Sequence, residues 1–265
     1  MATSPLRKAR RPRKGASVSS GDRTAAFKRE QPEARRAIAG FFRRRGSAIA
    51  HEAAALYRQT RKDDRDKVAR IFEDLELGDW AAIATDMQDR YVAVFEAGGQ
   101  KALTDLAAKE SMFGALNAPA ADYAATRGAE LVTSIEETTR AALKATIENA
   151  FTEGQSPAEL AEAIRDSYWF SDARAELIAD TELAMAHVSG ALEGWRQSGL
   201  VQGKSWLVSD DHDVDDECDE NETAGVIGVD EDFPSGDDGP PAHPGCNCDV
   251  APELIGEEGG VAEGE

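Results

Sequence analysis

From Glu33 to Gly199 the apolar residues of this chain recur at three- and four-residue steps, the period of amphipathic helices rather than of strands. After Pro32, Ile38, Phe41, Phe42, Ile49 and Leu56 make a first stripe. A polar break near residues 59–66 precedes Val68, Ile71, Phe72 and Leu75. Gly78-Asp79 reads as the end of that helix and the cap of another, with Trp80, Ile83, Met87, Tyr91 and Val94 on one face. Gly98-Gly99 reads as its stop. The longest helix is expected from Pro119 to about Phe151, with Leu131, Ile135, Leu143, Ile147 and Phe151 on one face and Gly154 after it. Ser156-Pro157-Ala158-Glu159 combines an N-cap serine, a proline at the first helical position and a capping-box glutamate. The short helix it opens should run to about Tyr168, and Ser171-Asp172 should open a last one that ends near Gly199. The stripes are core and carry no chemistry. An aromatic content of 6%, with many alanines, suits helix-on-helix packing better than a β-sandwich.

The texture changes after Lys204. The remaining 61 residues hold half of the ten prolines, nine glycines, all three cysteines and no Lys or Arg. Trp206-Leu207-Val208 and Val226-Ile227-Gly228-Val229 are short strand candidates separated by a polar loop. The acidic run Asp210–Glu222 lacks the glycine and terminal glutamate of a calcium loop in register, and reads as a solvated loop. The segment from Gly256 is a Gly/Glu tail expected to be disordered.

The net charge of −20 is unevenly spread. Residues 1–45 carry 14 Lys/Arg against 3 Asp/Glu, and residues 205–265 carry none against 20. Such polarity suggests different partners at the two ends. Residues 1–21, with Arg7, Lys8, Arg10, Arg11, Arg13 and Lys14, read as a disordered basic arm. It either touches nucleic acid or an acidic protein surface, drawing affinity from counterion release, or is a solvated tail. No apolar run is long enough for a membrane span, and the N-terminus has no secretory h-region, so a cytoplasmic chain is expected. Cys218, Cys246 and Cys248, odd in number and without a secretion signal, argue against a disulfide framework; clustered with a histidine they point to metal before redox chemistry.

The second half carries an ordered set of elements. Gly154-Gln155-Ser156 is followed by Arg174-Ala175-Glu176-Leu177-Ile178-Ala179-Asp180-Thr181-Glu182, then Ser198-Gly199, Trp206-Leu207 and Asp210-Asp211. Phe233-Pro234-Ser235-Gly236 and Pro240-Pro241-Ala242-His243-Pro244-Gly245-Cys246-Asn247-Cys248 close the series. In this order they resemble the phage Mu F-like head morphogenesis family over roughly residues 120–252. Two positions depart from that pattern. Asp215 stands where the aspartate-rich loop usually has the first cysteine of Cys-x-x-Cys, and Asn247 stands where arginine is frequent.

Beside this resemblance the site has its own physics. Two residues apart in an extended segment, Cys246 and Cys248 point to one face, and His243 is a turn away from Cys246. With Cys218 from across the lobe they make the four N/S ligands of a structural zinc site, with Asp215 as a substitute ligand. The other reading is that these side chains pack or remain free thiols. A catalytic metal is disfavoured, since no helical HExxH-like setting supplies a general base. Glu182, on the Ile178/Ala186 face, reads as a buried structural carboxylate rather than a catalytic acid, and Trp206 as structural.

The expected fold is mainly α: an elongated helical body and a small C-terminal β/loop lobe stapled by metal. The expected divisions are a basic arm (1–21), an N-terminal helical region (22–118), a Mu F-like domain (119–255, with helices over 119–200 and the lobe over 201–255) and an acidic disordered tail (256–265). The resemblance implies a minor head protein of the virion, made in the host cytoplasm and active in prohead assembly near the portal vertex. Its implied partners are the portal, other capsid or scaffold proteins and, through the arm, phage DNA; no membrane is implied. No catalytic activity is expected, as serine elbows, P-loops and dinucleotide fingerprints are absent. The competing classes are a free-standing nucleic-acid-binding protein, which the arm favours but the acidic body and missing reader motif oppose, and a metal-dependent or toxin-associated enzyme.

Overall fold

The computed structural model describes residues 23–60, 66–107, 114–209 and 217–256. Among them the chain is mostly helical and ends in a small three-stranded sheet. Its elements are α1 (Ala25–Gln59), α2 (Lys67–Asp74), α3 (Ala81–Asp105), α4 (Asn117–Glu153), α5 (Pro157–Arg165), α6 (Asp172–Ser198), β1 (Val201–Leu207), α7 (Glu217–Thr223), β2 (Val226–Gly228) and β3 (Asp249–Leu254). No helix among the described residues is long and apolar enough to cross a membrane. Two compact units are present. Among the described residues, a helical unit comprises 29–60, 66–92 and 121–180, and a mixed unit comprises 23–28, 93–107, 114–120, 181–209 and 217–256.

Several local expectations are corrected. Helix α1 begins at Ala25, not after Pro32, which lies inside it. Thr24 caps it, its Oγ1 accepting the Phe27 N–H at 3.3 Å. Helix α3 runs through Gly98-Gly99 to Asp105. Helix α5 stops at Arg165, and Tyr168–Phe170 form a separate 3-10 turn. Strand β1 starts five residues before Trp206, and β3 was not anticipated. From Glu217 the acidic run is helix rather than loop; three acidic residues in its first turn complement the helix dipole.

In the helical unit the apolar stripes become core, with Ile38, Phe42, Ile49, Ile71, Ile83, Met87, Tyr91 and Ile147 at 1% exposure or less. The start of α5 is built as its residues dictate. Ser156 accepts the Glu159 N–H at 3.2 Å and Glu159 accepts the Ser156 N–H at 2.6 Å, satisfying two otherwise orphaned donors. Arg174 is buried and donates to Thr138 Oγ1 (2.7 Å), Thr139 Oγ1 (2.9 Å) and the Trp169 carbonyl (2.9 Å), beneath the Phe42 and Trp169 rings. Burial pulls its pKa down to about 10, so it stays cationic at neutral pH.

The mixed unit rests on an unusually close crossing of α3 and α6. A Cβ at Gly98 would sit 2.2 Å from the His187 carbonyl oxygen, and one at Gly190 would sit 2.0 Å from that of Phe95. Each interior glycine costs roughly 1 kcal/mol of helix propensity, which the backbone-to-backbone packing offsets. In the antiparallel sheet β1 is central, in the order β2-β1-β3. Ser205 pairs with Val226 on one side and Ala251 on the other, and Trp206 pairs with Val250. Pro252, which cannot donate to a ladder, lies on an edge strand. Trp206, Val250, Phe233, Trp195, Val188, Leu192 and the three cysteines share one core cluster, with the Trp206 and Phe233 rings edge-on at 5.0 Å.

Candidate metal centre

Three segments of the mixed unit converge on the cysteines. Helix α7, packed on β1, carries Cys218 as its second residue, fully buried. The His243-Pro244-Gly245-Cys246 segment has the marks of a type II turn: Pro at the second position, Gly245 at φ 82° in the third, and the Cys246 N–H donating to the His243 carbonyl at 3.1 Å. That turn sets His243 and Cys246 at its two ends. Cys248 follows just before β3, and the Gly245 N–H donates to Thr181 Oγ1 of α6 at 3.3 Å.

The ligand atoms of Cys218, Cys246 and Cys248 all lie within 4.8 Å of one another, and all three residues are buried. Cys218 Sγ is 3.6 Å from Cys246 Sγ and 3.6 Å from His243 Nε2. Tetrahedral zinc with bonds of about 2.3 Å to sulfur and about 2.0–2.1 Å to nitrogen has edges of roughly 3.8 Å (S···S) and 3.6 Å (S···N). The Cys218–Cys246 spacing matches such an edge, and the three-cysteine cluster can coordinate a metal ion; His243 reaches Cys218 but does not lie within 4.8 Å of all three sulfurs. His243 Nδ1 lies 3.2 Å from the Pro244 carbonyl, which favours a proton on Nδ1 and leaves the Nε2 lone pair toward Cys218. A hydrogen bond from Cys248 lowers the pKa of the Cys246 thiol, and the same contact, with burial, raises that of Cys248.

A second polar knot braces the lobe. Lys204 on β1 is fully buried, ion-paired with Asp238, and has its ammonium 5.5 Å from the Phe233 ring centre. Arg196 of α6 reaches Asp238 (2.6 Å), Asp230 (3.0 Å) and the Val229 carbonyl (3.2 Å). Burial raises the Asp238 pKa, but the hydrogen bonds from Arg196 and Lys204 outweigh it and hold the carboxyl below its ordinary value.

The family model of the Phage Mu protein F like proteins matches residues 141–251. This supports a distant relation, over a segment that contains the whole cysteine cluster. Neither a curated protein nor a solved structure shows significant similarity to the chain.

Of the anticipated site residues, Cys218, Cys246 and Cys248 come together, and His243 touches Cys218 but lies outside the mutually close group. Glu182 is buried at 4% exposure on α6, beside Thr181, and Trp206 is in the lobe core at 1%. Asp215 and the basic residues Arg7, Lys8, Arg10, Arg11, Arg13 and Lys14 lie outside the described residues. Sequence reasoning missed Thr181, Lys204, Arg196 and Asp238. Only the Thr181-Glu182 pair had a signal, as part of the resembling motif. Lys204 and Asp238 are 34 residues apart, and nothing local marks them as partners.

Proposed function

We propose that the protein is a minor structural component of a phage head, acting in prohead assembly at or near the portal vertex and not as an enzyme. The observation that carries this reading is the match to the Phage Mu protein F like family over residues 141–251, spanning the residues that converge in the lobe. We further propose that the lobe is stapled by one structural zinc held by Cys218, His243, Cys246 and Cys248. Zinc favours such thiolate-imidazole sets, and a small lobe with one short core cluster gains most from a crosslink. These residues hold the lobe closed against α6, and no water-activating group is assigned. The acidic lobe meets protein, and the basic arm meets packaged DNA or an acidic scaffold.

Co-purification with the portal protein of the same phage tests the assembly role, with loss of capture expected when residues 205–265 are removed. Purified virions that lack the protein would overturn it. Metal analysis of the purified full chain should find one zinc per chain; no zinc, together with Cys246→Ser of unchanged stability, would end the zinc assignment.

A further inference from the structure

We infer that Cys218 and Cys246 are an oxidisable pair: in the metal-free chain they close a disulfide that takes over from the metal as the staple of the lobe, and bound zinc keeps them reduced. The pairing stands on the geometry of the lobe alone; the alternation of staples rests also on the zinc and head-protein readings above. The two Sγ atoms lie 3.6 Å apart and come from residues 28 positions apart, one on α7 and one at the end of the His243–Cys246 turn. A disulfide bond is about 2.05 Å long, so side-chain rotation with a shift of about 1.5 Å closes it. Cys248 is the third thiol, its sulfur within 4.8 Å of both. In an extended segment, however, its Cα stands about 6.6 Å from that of Cys246, at the upper limit of what a disulfide spans. Cys218 is the better partner for Cys246.

Exposure sets the order of events. Cys246 is the least buried of the three, at 8% against 0% for Cys218 and 2% for Cys248, so a small oxidant meets it first. With hydrogen peroxide as the oxidant, the Cys246 sulfur attacks one oxygen, the O–O bond breaks, and a sulfenic acid and one water form. The Cys218 sulfur then attacks the Cys246 sulfur. The S–S bond forms as the S–O bond breaks, and the hydroxyl leaves with the Cys218 proton as a second water. Two thiols are oxidised and one peroxide is reduced to two waters. A resolving thiol at 3.6 Å diverts the sulfenic acid from further, irreversible oxidation. Zinc opposes both attacks, because the ion holds the sulfur electron pairs that would make them. A head protein passes from the reducing cytoplasm of its host into oxidising medium, so the zinc staple serves the first setting and the disulfide the second.

The test uses the full chain, reduced, freed of metal by a chelator, treated with hydrogen peroxide and then alkylated. No Lys or Arg follows Lys204, so an endoproteinase that cleaves after Asp and Glu separates Cys218 from Cys246, and tandem mass spectrometry reads the linked peptides. The expected product is an intramolecular Cys218–Cys246 disulfide with the alkyl group on Cys248. Cys248→Ser should oxidise within about threefold of the wild-type rate, and Cys246→Ser about tenfold more slowly. Equal rates in the two variants overturn the pairing, as does a main product of Cys246 sulfinic acid or a Cys246–Cys248 link. The same product mixture in concentrated guanidinium chloride, where only proximity along the chain counts, also overturns it. Should Cys246→Ser fail to fold by circular dichroism, the wild-type peptide map decides alone. One equivalent of Zn²⁺ should slow the wild-type reaction about tenfold. A disulfide that forms equally fast with Zn²⁺ overturns the alternation and the zinc reading but not the pairing. Stoichiometric zinc binding, with no disulfide in the metal-free chain, overturns the pairing and leaves the zinc reading intact.

Discussion

Alanine in place of Gly190 sets two effects of opposite sign against each other. In a helix interior, Ala is favoured over Gly by about 1 kcal/mol. At this position, however, the new Cβ would lie 2.0 Å from the Phe95 carbonyl oxygen and 2.7 Å from its carbon. A carbon-oxygen contact needs about 3.3 Å, so α3 and α6 must part by roughly 1 Å. Both obstructing atoms are backbone, and no rotamer change relieves them. A gap of that size forfeits about a quarter to a half of each dispersion contact across the crossing, where Ala102, Val188 and Leu192 pack in the core cluster. Overpacking of this kind costs about 1–3 kcal/mol, and a backbone clash belongs at the upper end. The net expectation is a loss of about 2 kcal/mol, or a Tm lower by about 4–8 °C for a chain of this size. Gly40→Ala in α1 is the control: its Cβ would meet only Arg44 Nη1, the tip of a flexible side chain, at 3.3 Å. It should stabilise by up to about 1 kcal/mol. Urea unfolding followed by far-UV circular dichroism measures both. If Gly190→Ala is as stable as wild type or more so, the close approach of the two helices is refuted.

Three further outcomes are expected. Ser156→Ala removes the α5 cap and should cost about 1 kcal/mol in the same unfolding assay, with Ser156→Asp restoring most of it. In the second knot, Asp238→Ala strands a fully buried lysine and should cost about 3–5 kcal/mol, whereas Lys204→Met, which leaves Asp238 with Arg196, should cost less than half as much; the reverse order in urea midpoints would remove Lys204 from the account. His187 is buried without hydrogen-bond partners, and burial, with help from Arg23 and Lys101, depresses its pKa to about 3. A depressed base binds fewer protons folded than unfolded, so its stabilisation is present above pH 6.5 and lost as pH falls toward about 3, by up to ~5 kcal/mol. Asp249, raised to about 6 by burial, acts with the opposite sign between pH 3.8 and 6, so the test is the difference between wild type and His187→Met across pH 7 to 4. That difference should shrink with acid, and a constant one would refute the assignment.

Where one helical turn holds all the interacting atoms, the sequence alone determined the outcome. The Ser156/Glu159 box, the Gly154 stop and the stripes through Ile38, Ile83 and Ile147 needed no distant partner, because capping and amphipathic burial act over three or four residues. The ligand candidates Cys218, His243, Cys246 and Cys248 were readable for a similar reason: few residue types bind metal, and the Pro-Gly turn lies within four residues. Distant partners decided the rest. Gly98-Gly99 looks like a helix stop until Gly190 and the His187 carbonyl occupy the space its missing side chains leave. Lys204 lies before the strand that the sequence suggests, and only the assembled sheet, with Asp238 paired to it and to Arg196, shows it buried. Helix α7 turns an apparently solvated acidic stretch into the element that delivers Cys218, because packing on β1 buries Cys218 and Asn221 while Glu217, Glu220 and Glu222 stay exposed. Such contacts carry energies of a few kcal/mol between groups tens of residues apart, larger than the local preferences they override, and only the assembled tertiary structure brings those groups within range.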